Sequence, residues 1–139
     1  MVGLIFLKGY EMTYITDLKP DEIFVFGSNY AGRHGKGAAL LAYKKFGAKI
    51  GQGTGLMGRS YGIATKDRNL KVLSLNQIEI QIDRFIRFAE NNRHLTFLVT
   101  EIGCGLAGYK VKQIAPLFMK HKIPGNVRLP ESFLNYKKD

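Results

Sequence analysis

Three observations predict an α/β fold. Two apolar runs, residues 22–27 and 95–102, have the length and composition of buried strands. Each breaks abruptly into a glycine-rich loop that opens a helical pattern. Between them, residues 76–92 place Ile78, Ile82, Phe85, Ile86 and Ala89 on one face at helical spacing. Strand, glycine loop and helix in succession aim backbone N–H groups and a helix N-terminus at an anion.

A chain of 139 residues reads as one domain, 1–139, large enough to bury a core without disulfides or metal. Hydrophobic content of 45% and charged content of 23% are ordinary for a soluble globular domain. No apolar run approaches the roughly 20 residues that span a bilayer, so no membrane partner is expected. The single cysteine, Cys104, cannot form an internal disulfide, and no cleavage site follows the short N-terminal apolar run. A cytoplasmic location is the expectation. A net charge of +10 points to an anionic partner, whether nucleotide, phosphorylated product or nucleic acid.

Glycine placement is more informative than glycine content. Of 16 glycines, ten fall at positions 27–62 and three at 103–108. Turn punctuation would be scattered; clustering suits backbone that approaches a ligand closely.

Taken in order, residues 2–7 and 12–16 are short β-prone runs separated by Gly9. Met12 is a second candidate start, which would make 1–11 a peripheral extension. Pro20 fixes a turn before the strand at 22–27. The loop 28–37 and a helix at 37–46 follow, with Gly47 as a left-handed stop. Residues 48–58 carry glycine at 51, 53, 55 and 58, so neither helix nor strand is expected there. That segment reads as an ordered loop or a lid bracketed by Gln52 and Arg59. Residues 59–65 and 70–75 are predicted strands around a polar turn at 66–69. In the helix at 76–92, Asp83 and Arg87 form an i,i+4 pair. The near-continuous apolar run at 95–102 predicts a central strand covered on both faces. The second glycine loop, 103–109, leads to a helix at 111–120, a strand at 126–129 and a polar tail at 130–139.

Both loops carry candidate ligand contacts. Ligands of open α/β sheets sit beyond the carboxyl ends of the strands, so two such loops form opposite walls of one cleft. The first loop offers Gly27, Ser28, Asn29 and Gly32, then Arg33, Gly35, Lys36 and Gly37. The second offers Gly103, Cys104, Gly105, Leu106, Ala107, Gly108 and Tyr109. Asn29 is read as a ligand contact, with turn capping as its alternative. His34 is the histidine placed to exchange a proton near neutrality. Cys104 as nucleophile and Glu101 as base are weaker readings than packing and edge charge. Residues 103–108 fit G-x-G-x-x-G, but the acidic residue that a dinucleotide site needs about 20 positions on is absent, with Arg128 nearby instead. Gly35-Lys36-Gly37 lacks the hydroxyl residue of a Walker A loop. His34, His94 and His121 are isolated and make no metal set.

Val25-Phe26-Gly27-Ser28-Asn29, the glycine-rich turn and Gly37-Ala38-Ala39 resemble the macrodomain pattern of a strand ending in asparagine, a glycine loop and a helix starting Gly-Ala. Thr100-Glu101-Ile102-Gly103-Cys104-Gly105-Leu106-Ala107-Gly108-Tyr109 resembles the second macrodomain loop. Thr13-Tyr14-Ile15-Thr16 sits where that family has Gly-Asp-Ile-Thr. The likeness is closest to a short, divergent bacterial or phage macro-like branch. It implies a three-layer α/β/α sandwich with a central mixed sheet, binding ADP-ribose or a related nucleotide without a cofactor. Asn29 would contact the distal ribose, the two loops would wrap the diphosphate, and Tyr109 would flank the ribose. Tyr14 replaces the aspartate that contacts adenine in the family, and the first loop is more cationic than the family norm. Weak activity as an ADP-ribose-1″-phosphate phosphatase or ADP-ribosyl hydrolase is a further expectation, in which Asn29 would position the ribose or a water and His34, read from its place in the loop, would exchange a proton. The alternative is a basic, non-enzymatic nucleic-acid-binding protein. It would use Lys120, Lys122, Arg128, Lys137 and Lys138, with Tyr30, Tyr43, Tyr61 and Tyr136 stacking on bases.

Overall fold

A computed structural model describes residues 17–136 and the backbone of two short strands, β1 (Leu4–Ile5) and β2 (Thr13–Tyr14). These two pair antiparallel as a separate ribbon. The rest of the two predicted N-terminal strands, the side chain of Tyr14, and Lys137 and Lys138 lie outside the described residues.

The main sheet is built around β3 (Glu22–Asn29). Parallel neighbours flank it, β5 (Ser60–Lys66) on one side and β6 (Thr96–Val99) on the other. β4 (Gly55–Met57) runs antiparallel along β5, and β7 (Val127–Arg128) runs parallel along β6. The result is a five-stranded mixed sheet in the order β4-β5-β3-β6-β7. Side chains of β3 alternate between two cores. Phe24 and Phe26 meet Ala39, Ala42 and Phe46 of the α1 region (helix Gly37–Lys45) on one face. Ile23 and Val25 meet α2 (Leu75–Glu90) and α3 (Val111–Met119) on the other. This α/β arrangement, with helices on both faces, is compatible with an α/β/α sandwich. It explains why the β3 sequence shows no polar alternation: neither face is wet.

Helix α2 starts with a capping box. Ser74 Oγ accepts from Gln77 N–H at 3.2 Å, and Gln77 Oε1 accepts from Ser74 N–H at 2.9 Å. Its apolar stripe carries one buried polar residue, Gln81. That amide donates to Ala64 O and accepts from Ala64 N–H, both at 2.7 Å, so the helix is pinned to β5 with no polar atom left over.

Four expectations need correction. First, residues 48–58 contain a strand, β4, despite their glycines. A Cβ on Gly53 would stand 1.8 Å from Asn29 O, so glycine here permits a backbone contact with the end of β3. Second, the strand expected at 70–75 reduces to one bridge, Lys66 to Val72, because Asp67 closes a tight turn by accepting from Asn69 and Lys71 N–H. Third, the tail contains a one-turn helix, α4 (Glu131–Leu134), whose Phe133 is fully buried against Phe118. Fourth, Asp83 pairs not with Arg87 but with His121 at 2.8 Å and Lys120 at 3.3 Å, tying α2 to the end of α3.

Candidate functional site

The chain passes from β3 through α1 to β5, then through α2 on the other face to β6, on the opposite side of β3. The crevice between β3 and β6 is therefore the point where strand order reverses, the usual place for a ligand in an open α/β sheet. A cavity of about 560 Å³ lies there, and both glycine loops line it. That volume suits a nucleotide-sized molecule.

The floor is made of strand ends, and its hydroxyls are already committed. Ser28 Oγ donates to Gly53 O, Thr65 Oγ1 to Ser28 O, and Thr100 Oγ1 to Val25 O. A register shift between Ser28 and Asn29 swings the last residue of β3 away from its regular partner. One wall is Arg33, Gly35, Lys36 and the first turn of α1. No side chain caps that helix and no acidic residue lies in its first turn, so its positive end faces the cavity unneutralised. The opposite wall is Glu101, Ile102, Gly103, Gly105, Leu106 and Ala107. Lys66, the last residue of β5, and Leu70 beyond it complete the rim. Arg33, Lys36 and Lys66 face a single carboxylate, Glu101, so the charge balance favours an anion.

Two lining glycines stand apart. A Cβ on Gly35 or Gly105 would meet nothing within 4 Å, and neither residue has a left-handed φ. The fold requires glycine at neither position.

Eleven of the sequence-predicted residues line the cavity. Gly27, Ser28, Asn29, Arg33, Gly35, Lys36 and Gly37 come from the first loop, and Gly103, Gly105, Leu106 and Ala107 from the second. Gly32, His34, Cys104, Gly108 and Tyr109 do not line it. Gly32 is packed away, since a Cβ there would stand 2.3 Å from Gln52 N. Nor does α3 present its N-terminus to the cavity; the cleft has one helix end, not two.

Several side chains turn out to have structural duties. His34 is 2% exposed, and its Nε2 lies 2.8 Å from Lys49 O and 3.0 Å from Gln52 O. Two carbonyls can only accept, so Nε2 carries the proton and ties the first loop to the 48–52 segment. Its Nδ1 is buried without a partner, and its ring packs edge-on against Phe26. It cannot exchange a proton with a ligand in the cavity from this position. Asn29 lines the cavity and its amide brackets the turn: Nδ2 donates to Arg33 O at 2.8 Å and Oδ1 accepts from Arg33 N–H at 2.9 Å, which leaves one Nδ2 proton and one Oδ1 lone pair. The turn-holding role of Asn29 is the one its bonds display. Burial, and then the charge of Glu101, push the Cys104 thiol up to about 12, which leaves no thiolate for nucleophilic attack at neutral pH. The Tyr109 hydroxyl donates to Leu73 O at 2.6 Å, turning the ring into the core side of the loop. Gln52 and Arg59 are likewise occupied by backbone carbonyls and do not close over the cavity. Of the tyrosines expected to stack on bases, Tyr61 is buried among Phe85, Phe88 and Phe97.

Lys66, Leu70 and Thr65 were not anticipated as cavity residues. Lys66 and Thr65 could have been reached by extending the strand-end argument to β5, the third strand pointing the same way. Leu70 had no such signal. Its φ of 62° is the only left-handed value among the described non-glycine residues, and it turns a leucine that is 40% exposed into the rim. Among the described residues, no group of three or more His, Cys, Asp or Glu is placed to hold a metal ion. Comparison with known proteins finds no family model, curated protein or solved structure that matches this chain.

Proposed function

We propose that this chain is a macrodomain-like α/β/α module that binds ADP-ribose or a related phosphorylated nucleotide in the β3–β6 crevice. The observation that carries the reading is the pair Gly35 and Gly105. Both line one cavity from opposite walls, and neither packing nor backbone conformation calls for glycine. Space left open in front of two backbones suits phosphate oxygens that need N–H donors at close range. The uncapped end of α1, with Arg33, Lys36 and Lys66, supplies the matching positive field.

The proposal is for binding rather than turnover. Of the two groups expected to handle water or protons, His34 lies off the cavity with Nε2 on two carbonyls, and Asn29 is held in the turn by its two bonds to Arg33. Calorimetric titration with ADP-ribose and with inorganic diphosphate tests the reading. Saturable one-to-one binding of ADP-ribose, weakened about tenfold in Arg33→Gln as expected for one charge-assisted contact, is the predicted result. Absence of heat and of any melting shift with either ligand contradicts it. Binding of single-stranded oligonucleotides instead, falling steeply with salt, would favour the nucleic-acid reading.

A further inference from the structure

Glu101 is anomalous in this cavity. The other charged side chains that line it, Arg33, Lys36 and Lys66, are all cations, and the first turn of α1 adds the positive end of a helix. Glu101 alone among the lining side chains is an anion, and an anion beside a phosphate site is repulsive. It makes no ion pair among the described residues that would cancel its charge. Yet it is held in place. Ser132 Oγ, on the short helix α4, donates to Glu101 Oε2, which leaves Oε1 open to accept. The other lining side-chain acceptors, Asn29 Oδ1 and the Ser28, Thr65 and Thr100 hydroxyls, are neutral, and each group already makes a bond to backbone.

A ligand complementary to this surface brings acceptors to the loops and a donor to Glu101. We propose that Glu101 is the specificity-determining residue of the site: it accepts hydrogen bonds from sugar hydroxyls and selects a glycosyl phosphoester over a bare phosphate or diphosphate. Ser132 acts through Glu101 as a positioning residue. The inference rests on the nucleotide-binding reading above and names the part of the ligand that the loops do not read.

The test measures two dissociation constants, for ADP-ribose and for inorganic diphosphate, in the full chain and in Glu101→Gln and Ser132→Ala. Glu101 is exposed, so Glu101→Gln is expected to melt where the parent does. The ratio of diphosphate to ADP-ribose constants should fall about tenfold in Glu101→Gln, because ADP-ribose loses a charge-assisted bond. Diphosphate should bind equally well or more tightly, because a repulsive charge is gone. Ser132→Ala, which keeps the carboxylate but releases it, should lower the ratio about threefold. A ratio unchanged in Glu101→Gln, or equal weakening of both ligands, overturns the assignment while leaving the nucleotide site standing. Failure of the parent chain to bind either ligand overturns both.

Discussion

The glycines near the cleft form two sets, and their difference separates architecture from function. Gly32 and Gly53 are packed so tightly that a Cβ would overlap backbone atoms at 2.3 Å and 1.8 Å. Gly35 and Gly105 face a cavity with nothing within 4 Å of a Cβ. The first set holds the 48–53 segment against the end of β3, where His34 adds its bonds to Lys49 O and Gln52 O. The second set leaves backbone uncovered. Identical residues a few positions apart thus answer to different demands. One set is fixed by what the protein places there, the other by what the protein leaves out.

Substitutions sharpen this division. The largest effect is expected for Gly53→Ala, whose methyl would collide with Asn29 O. It should lose about 3 kcal/mol or more of folding stability, since backbone on both sides resists the shift; urea denaturation measures it. His34→Phe keeps the ring packing on Phe26 but strands two carbonyls, and should cost about 2 kcal/mol in the same assay. Because His34 does not line the cavity, ADP-ribose affinity should change by less than about threefold, well below a single lost hydrogen bond to a charged group. A loss larger than that would move His34 from the packed set to the ligand-facing one.

A smaller effect serves as a control far from the cleft. Burial pushes the Asp83 carboxyl up, but hydrogen bonds from His121 and Lys120 and their positive charge outweigh it and hold it below its usual value. A depressed carboxyl adds stability above its unfolded pKa, about 3.9, and loses it as pH falls through the lower folded value. Asp83→Asn should therefore lower stability at pH 7 by less than about 1 kcal/mol, as for an exposed pair. It should flatten the acid limb of a melting-temperature profile below about pH 4 without altering ligand affinity.

How much of this was legible beforehand depended on what fixes each feature. β3, its loop and α1 could be read because an apolar run, a glycine cluster and a helical pattern are local signals. The position of α2 was legible from its stripe, yet the role of Gln81 was not, since the amide answers to Ala64 on another strand. β4 was missed for an instructive reason. Glycine normally argues against a strand, and here Gly55 and Gly58 take left-handed φ at its two ends while Leu56 and Met57 pair with Tyr61 and Ser60 on a strand that no local pattern announces. α4 was hidden because its apolar residues, Phe133 and Leu134, are too few to show a helical period in a stretch that otherwise reads as polar tail. The same limit applied to the cleft. Both loops were assigned to one cavity from strand-end topology, but the direction of a side chain in an irregular loop depends on partners distant in sequence. Asn29, His34 and Tyr109 each bond a backbone carbonyl or amide, and of the three only Asn29 lines the cavity.

The central claim is that Gly35 and Gly105 are glycine for the sake of a bound phosphate and not for the fold. The most direct measurement is ADP-ribose titration of Gly105→Ala beside its melting curve. The account predicts a melting temperature equal to the parent's or slightly higher, because alanine restricts the unfolded chain, together with at least about tenfold weaker binding from a methyl placed against the phosphate. Unchanged affinity, or a loss of stability like that of Gly53→Ala, would contradict it.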